Sequence, residues 1–125
     1  MFSDTSEFTN KGDPNVHLEA EIRNALNSDP RNVQSWSRLG AFLFLKEDWQ
    51  GSTDACRAAV ALNPNDADTW GVLGAALWAL GSLNDAREAY EYSLRINPLD
   101  VATVKNFSRL LLTSRGAEAS LGWAD

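Results

Sequence analysis

The chain has 125 residues, a formal net charge of -6, one cysteine and one histidine. This length favours a single domain with a modest core. The proportions of hydrophobic and charged residues, 44% and 22%, are ordinary globular values and disfavour a disordered chain. The negative charge disfavours non-specific nucleic-acid binding, which needs Lys and Arg to displace phosphate counterions.

The scarcity of cysteine and histidine limits the chemistry that the chain can perform. Cys56 alone cannot form an intramolecular disulfide, and with His17 alone it cannot form a Cys/His metal cluster. The first residues, "MFSDTSEFTNKGD", lack the basic segment and apolar run of a secretory signal, and no apolar run reaches membrane-spanning length. We therefore expect no bound metal, no membrane insertion and a cytoplasmic location.

The N-terminal region predicts an arm followed by one helix. Residues 1–12 form a predicted flexible arm ahead of a domain spanning residues 13–125, and the two phenylalanines of the arm are candidates to dock into a groove of that domain. Asp13 can cap a helix that Pro14 opens and that ends before Pro30. The apolar face of this helix is formed by Leu18, Ile22, Ala25 and Leu26.

The rest of the chain contains an internal repeat. Pro30, Pro64 and Pro98 are spaced by 34 residues, and each follows Asp or Asn. Residues 33–66 align without a gap on residues 67–100. Identical pairs fall at small, apolar and turn positions and include Trp36 with Trp70, Leu39 with Leu73, Gly40 with Gly74, and Asp66 with Asp100. A repeat of this length indicates a stack of similar units.

Each unit is predicted to contain two helices. Trp70, Leu73 and Leu77 recur at helical spacing, which predicts a first helix from about residue 67 to residue 80. Gly81 ends that helix, and Ser82 caps a second helix that ends at the next proline. The earlier unit has Glu47 in the place of Gly81, so we expect a less relaxed turn there.

The segments "WSRLGAFL" and "WGVLGAAL", followed by "DACRAAVALNP" and "NDAREAYEYSLRINP", resemble the tetratricopeptide repeat. The resemblance covers Val33–Asp100 and implies an all-α, right-handed superhelical stack of antiparallel helix pairs. The full repeats would span about residues 33–66 and 67–100, with partial units at 13–32 and 101–125. In the last unit, Val104, Phe107, Ser108 and Leu111 occupy the places of the repeat's Trp, Leu, Gly and Leu. A short seventh helix after Arg115, interrupted by Gly122, stays doubtful.

The sequence contains no recognisable catalytic arrangement. A nucleophilic Cys56 would need a base within hydrogen-bonding reach, and His17 lies on a different predicted helix. Cys56 occupies the place of Tyr90 in the next unit, which favours a buried, inert thiol. The carboxylates of Asp48, Asp66 and Asp100 fall at helix starts, where they satisfy free N–H groups. We expect a protein without catalytic residues or a cofactor.

The resemblance also implies a function. In that family, the first helices of successive repeats line a concave surface that binds segments of partner proteins. The positions predicted to line this groove are Ser37, Ala41, Phe44, Gly71, Ala75, Trp78, Lys105, Arg109 and Leu112. The centre of the predicted groove is small and apolar with two aromatic residues, and its C-terminal end is basic. We expect capture of an apolar partner segment with an acidic flank.

Two alternatives within the groove stay open at this point. Phe44 and Trp78 are 34 residues apart and serve either as anchors for a partner or as packing against neighbouring helices. Lys105 and Arg109 are one helical turn apart and either meet a carboxylate of a partner or form a solvated pair.

Some members of the family hold the C-terminal carboxylate of a chaperone with Lys, Asn, Asn, Lys and Arg side chains. The corresponding positions here carry Ser37, Ala41, Val72, Ala102 and Asn106, and none of them matches. A co-chaperone of that type is therefore disfavoured. The predicted function is a non-enzymatic interaction module or scaffold. The alternative is a structural subunit that self-associates, or joins a larger complex, through exposed ends of the stack.

Overall fold

The computed structural model describes the backbone of residues 14–120 and the side chains of residues 16–113. This part of the chain contains six helices and no strand, which confirms the predicted all-α fold. The helices are α1 (Pro14–Ser28), α2 (Val33–Leu45), α3 (Trp49–Leu62), α4 (Ala67–Ala79), α5 (Leu83–Ile96) and α6 (Val101–Ser120). The predicted arm of residues 1–12 with Phe2 and Phe8 lies outside the described residues, as do the cap at Asp13 and the glycine at position 122.

The helices pack in the order that a repeat stack requires. Helices α2 and α3 form one pair, α4 and α5 form the next, and the second helix of one pair packs on the first helix of the following pair. Helix α1 packs on α2, and α6 packs on both helices of the second pair. Because α2 contacts α4 and α4 contacts α6, the first helices lie side by side and form one continuous wall.

The turns inside the two pairs have the same geometry. The N–H of Gly81 donates to the carbonyl of Trp78 at 2.9 Å, and the N–H of Ser82 donates to that of Leu77 at 2.9 Å. This pattern closes a helix through a residue in the left-handed conformation. Gly81 has φ of 83°, and Glu47 takes the equivalent place with φ of 63°. The prediction of a less relaxed turn at Glu47 is therefore confirmed.

Helix starts are capped mostly as the sequence indicates. The Asp48 carboxylate accepts a hydrogen bond from the N–H of Gly51 at 3.0 Å, and the Asp66 carboxylate accepts one from the N–H of Asp68 at 3.2 Å. Ser82 precedes α5, but its hydroxyl makes no capping hydrogen bond. The prediction that the Ser82 side chain caps α5 is wrong.

The core consists of two apolar clusters that follow the repeat. One lies between α1, α2 and α3 and contains Ile22, Leu26, Leu39, Phe42, Leu43 and Ala55. The other lies between α4, α5 and α6, receives Cys56 from α3, and contains Leu73, Leu77, Ala86, Ala89, Tyr90 and Leu110. Trp36 packs against the first cluster and Trp70 against the second, and both are half-buried. Each unit thus completes its core only with a neighbour.

Helix α6 buries only part of the predicted face, of which Phe107 packs against the second core cluster. Leu110 is 1% exposed and supplies the main apolar contact of α6, whereas Val104 is 42% exposed and Leu111 is 38% exposed. The equivalents of Leu111 in the earlier first helices, Leu43 and Leu77, are buried. They are covered by the second helix of their own unit, and no described helix takes that place on α6.

The doubtful seventh helix does not occur within the described residues. Helix α6 continues without interruption to Ser120, so the segment from Arg115 to Ser120 prolongs α6. The last five residues of the chain lie outside the described part.

Candidate functional site

The wall formed by α2, α4 and α6 is called the concave wall below. The junction before α4 fixes the position of this wall. The indole Nε1 of Trp70 donates to the carbonyl of Pro64 at 2.8 Å, and Trp36 makes the same bond to Pro30 at 2.8 Å. The Asp66 carboxylate also accepts from the hydroxyl of Thr69 at 2.7 Å. The spacing of six residues from proline to tryptophan thus joins each first helix to the turn that precedes it.

Glycine lets the second helix of each unit approach the first closely. A Cβ atom on Gly74 would lie 2.7 Å from Cδ1 and Cε1 of Tyr90, and one on Gly40 would lie 2.5 Å from Sγ of Cys56. The two side chains that cross these glycines are fully buried. Burial raises the pKa of the Cys56 thiol to about 11 and the pKa of the Tyr90 hydroxyl to about 12, so both are protonated at neutral pH.

The first of three depressions along the concave wall, the α2–α4 cavity, lies between the N-terminal halves of those helices. Its volume is about 490 Å³. Its lining includes Ser37 and Ala41 from α2, and Asp68 and Val72 from α4. The Ser37 hydroxyl lies 3.0 Å from the Thr69 hydroxyl and joins the two helices by a hydrogen bond. This cavity is polar at its outer end, where Arg38 and Asp66 also line it.

The second depression, the α4–α6 cavity, continues the first across α4. It has a volume of about 350 Å³ and shares Asp68 and Val72 with the α2–α4 cavity. Gly71 and Ala75 form its base, and the Thr103 hydroxyl stands 3.2 Å from where a Cβ on Gly71 would lie. A side chain at position 71 would therefore fill the narrow space between α4 and α6.

The third depression, the aromatic cavity, lies at the C-terminal end of α4. It has a volume of about 350 Å³. Its lining residues are Phe44, Ala75, Trp78, Ala79, Tyr90 and Asn106. It shares Phe44, Ala75 and Asn106 with the α4–α6 cavity, so the three depressions form one groove.

Six of the nine predicted groove residues line this groove. Phe44, Ala75 and Trp78 meet in the aromatic cavity, Gly71 lies in the α4–α6 cavity, and Ser37 and Ala41 lie in the α2–α4 cavity. The structure does not bring the other three into the three cavities. Lys105, Arg109 and Leu112 are exposed on α6.

Phe44 and Trp78 pack against neighbouring side chains and also line the aromatic cavity. Phe44 packs edge-on against Trp49 with ring centroids 5.1 Å apart, and Trp78 packs against the second core cluster. Both nevertheless remain half-buried on the groove side and line the aromatic cavity. Packing on one face therefore holds each ring in place while another face stays open.

The predicted set of groove residues lacked two polar residues of the groove wall, although Asn106 was already named as a position of the family's clamp. Asn106 lines both cavities next to α6, and Tyr90 reaches the aromatic cavity from α5. Asn106 occupies the place of Val72 one repeat later, so the 34-residue alignment was the signal that could have found it. The sequence contained no signal that Tyr90 lines the groove, because its helix α5 lies behind the groove. Its ring reaches the cavity only because position 74 is a glycine.

Comparisons with known proteins identify the fold. No family model and no curated protein match the sequence. The first TPR domain of Spaghetti (RPAP3), bound to the HSP90 peptide SRMEEVD, superposes with a TM-score of 0.77 and 18% identity, over 90% of this chain and 86% of that one. The NMR structure of the first TPR domain of human RPAP3 superposes with a TM-score of 0.78 and 20% identity, over 94% and 92%. The chain has the tetratricopeptide-repeat fold.

A third tetratricopeptide-type neighbour is longer than this chain. The crystal structure of MamA superposes with a TM-score of 0.76 and 15% identity, over 90% of this chain and 63% of that one. The tetratricopeptide fold predicted from the repeat is therefore confirmed, and its concave wall is the one that carries the groove. Among the described residues, no helix is long and apolar enough to cross a membrane, and no three His, Cys, Asp or Glu side chains are grouped to hold a metal ion.

Proposed function

We propose that this protein is a non-enzymatic interaction module whose concave groove binds an apolar segment of a partner protein. The aromatic cavity carries this proposal. Phe44 and Trp78 are held by packing, half-buried and open toward the groove, and rigid aromatic side chains of this kind are the usual energetic centres of interfaces. Support also comes from the neighbour with this fold that is bound to a peptide.

The charges of the groove define the flanks of the proposed partner. Lys105 and Arg109 occupy in α6 the positions that Gly71 and Ala75 occupy in α4, so they extend the wall beyond the last cavity. We propose that they select an acidic flank of the partner. Replacing both by Ala would then weaken binding, and the loss would shrink at high salt because exposed charges are screened. A loss that salt leaves unchanged would contradict this assignment.

Selection of peptides from a displayed random library, followed by titration, tests the groove. Trp78→Ala should weaken binding of the selected peptides by at least about tenfold, because aromatic anchors supply most of the energy of such interfaces. Leu80→Ala is the matched control, since Leu80 is 40% exposed, directly follows α4 and lines none of the three cavities. The groove proposal fails if Trp78→Ala binds these peptides as tightly as the wild type while retaining its helicity.

The chaperone peptide SRMEEVD provides a negative test. Ser37, Ala41, Val72, Ala102 and Asn106 stand where the clamp of that type has its recognition groups, and each lines at least one of the first two cavities. None of them carries a positive charge, so a carboxylate bound there would be desolvated without a partner. SRMEEVD should bind no more tightly than a scrambled peptide of the same composition. Clear preference for the native order would overturn this exclusion.

Self-association is the second candidate function, and the exposed face of α6 favours it. Val104 is 42% exposed and Leu111 is 38% exposed, whereas Leu77, the equivalent of Leu111 in the preceding unit, is 4% exposed. An uncovered apolar face of a repeat stack favours assembly. Light scattering of the wild type and of Leu111→Lys tests this. A concentration-dependent mass that Leu111→Lys abolishes would support assembly, and a monomer at all concentrations would exclude it.

We also propose a cytoplasmic location, because the thiol of Cys56 is buried and forms no disulfide. Cell fractionation with an antibody against the chain tests it, and recovery outside the cytoplasmic fraction would contradict it.

A further inference from the structure

The aromatic cavity lies at the same end of the molecule as the start of α1, where the N-terminal arm joins. Phe44 is the last residue but one of α2, and Trp78 holds the same place in α4. The Glu19 carboxylate of α1 forms an ion pair with Lys46, directly after α2, at 3.3 Å. Helix α1 begins at Pro14, five residues before Glu19 and therefore about 8 Å further along the helix. The arm thus joins α1 at the level of the C-terminal end of α2.

The arm is long enough to reach the aromatic cavity. Helix α1 packs on α2, and Phe44 of α2 lines the cavity, so the path from Pro14 to the cavity crosses only α2. A helix with its side chains is about 10–12 Å across. Phe8 is six residues before Pro14, and an extended chain of six residues spans about 20 Å. Phe8 can therefore enter the cavity.

The arm has the composition that we propose for the partner segment. It contains two aromatic residues, Phe2 and Phe8, and the charged residues between them are Asp4 and Glu7. A phenylalanine ring suits the aromatic cavity, because aromatic rings line it and no charged side chain of the described residues does. The arm therefore offers an apolar anchor with an acidic flank.

The charges of the concave wall restrict where an acidic segment can lie. Among the described residues, the charged side chains lining the α4–α6 cavity are Asp68 and Asp100, near the N-terminal ends of α4 and α6, and they repel such a segment. Asn106 of α6 lines the aromatic cavity, and Lys105 and Arg109 lie beside it in the sequence and are exposed. An acidic segment is therefore favoured along the aromatic cavity and the basic pair.

Entry past α2 also gives the arm a direction across the wall. From Pro14 the chain runs back first to Phe8 and then to Glu7 and Asp4. With Phe8 in the aromatic cavity, the two carboxylates follow on the side of α6, where the basic pair lies. The order of residues in the arm thus matches the order of cavity and charge on the wall.

We propose that the groove binds the protein's own N-terminal arm, with Phe8 in the aromatic cavity and the carboxylates of Asp4 and Glu7 facing Lys105 and Arg109. The arm then competes with a partner segment for this cavity, and that regulation rests on the proposed function. Because the arm belongs to the same chain, its effective concentration at the cavity is on the order of millimolar, so a weak contact is enough.

Photo-crosslinking tests the contact without a partner. The photoreactive residue p-benzoylphenylalanine replaces Phe8 in the full chain, and the dilute protein is irradiated, digested and mapped by mass spectrometry. Crosslinks should join position 8 to the segments around Phe44, Trp78 and Asn106 within one chain. The same probe in place of Phe2 is the matched control and should give fewer of these crosslinks. Crosslinks scattered over the surface, or formed only between chains, would overturn the proposal.

Titration with the peptides selected from the random library tests the competition. Phe8→Ser in the full chain should bind them at least about threefold more tightly than the wild type, the gain expected when an arm that occupies the cavity in about two thirds of molecules is released. Phe2→Ser is the matched control, and its affinity should change less. A gain in Phe2→Ser as large as that in Phe8→Ser would contradict the assignment of Phe8 to the cavity.

The outcomes separate this inference from the proposed function. Peptides that depend on Trp78 but bind Phe8→Ser and the wild type equally would keep the groove and overturn its occupation by the arm. Crosslinks from position 8 to the aromatic cavity, together with failure to select any peptide that depends on Trp78, would keep the arm contact and overturn the binding of a partner.

Discussion

Positions 56 and 90 are equivalent in the repeat but carry side chains of very different size. Tyr90 fills its place with a ring, and its Phe107 neighbour lies with its centroid 6.1 Å away. Cys56 fills the same place in the preceding unit with one sulfur atom against Gly40. Both sites are closed to water, so the difference in size is absorbed by the surrounding helices.

The burial of Cys56 predicts an inert thiol and a dependence of stability on alkaline pH. Because its pKa is about 11 in the folded protein and 9.0 in an exposed thiol, its contribution to stability is complete below the lower value and is lost as the pH rises toward the upper one. The rate at which iodoacetamide alkylates Cys56 should be limited by the rate at which the protein unfolds. Rapid alkylation of the native protein below pH 9.0 would contradict this, and Cys56→Ala should reduce the alkaline loss.

The indole hydrogen bond of Trp70 can be separated from the packing of its ring. Trp70→Phe should lower the free energy of unfolding by about 1 kcal/mol, because it removes the bond to the Pro64 carbonyl and keeps an aromatic ring. Trp70→Ala should cost about 3–5 kcal/mol, because it also removes the packing and the stacking on Tyr92 at 4.5 Å. Urea unfolding measures both. Equal costs would show that the ring contributes nothing.

At the scale of the helix pair, the turn determines how the two helices meet. Both turns place a residue in the left-handed conformation, where only glycine avoids a steric cost. The sequence predicted a less relaxed turn at Glu47, because Glu47 stands where the next unit has Gly81. It did not predict that the turn of Glu47 forms the same hydrogen bonds, with the Asp48 N–H donating to the Leu43 carbonyl at 2.9 Å.

Exchanging these turn residues should change stability in opposite directions. Gly81→Ala should cost about 1 kcal/mol, since nothing lies within 4 Å of the added Cβ and only backbone strain acts. Glu47→Gly should stabilise by less than about 1 kcal/mol, because relief of strain is partly offset by the greater freedom of glycine in the unfolded chain. Thermal unfolding of the two variants measures this, and destabilisation by Glu47→Gly would contradict it.

At the scale of the whole molecule, the repeat period predicted what is common to the units but not what differs at their ends. Leu111 is 38% exposed because α6 packs on α5 and α4 only, whereas the alignment assigned the core positions of a complete pair. The residues of the groove could likewise be predicted only in part. Phe44, Ala75 and Trp78 were predicted from the resemblance to the tetratricopeptide repeat, but Tyr90 enters through a close contact between two helices, which no single-helix pattern contains.

The position of a unit in the stack should therefore decide the cost of the same substitution. Leu77→Ala should lower the free energy of unfolding by about 2–5 kcal/mol, whereas Leu111→Ala should cost less than about 1 kcal/mol. Leu77 is 4% exposed and Leu111 is 38% exposed, although they are equivalent in sequence. Urea unfolding of dilute protein measures both. Similar costs would mean that Leu111 is covered in solution.

Phe44, Ala75 and Asn106 are each shared by two adjacent cavities. In the proposed complex, a bound residue that shifts one of these walls would change the space left for its neighbour, so the binding energies of consecutive partner residues would not be independent. The proposed groove would then select pairs of adjacent residues, and a consensus compiled one position at a time would misjudge which sequences bind.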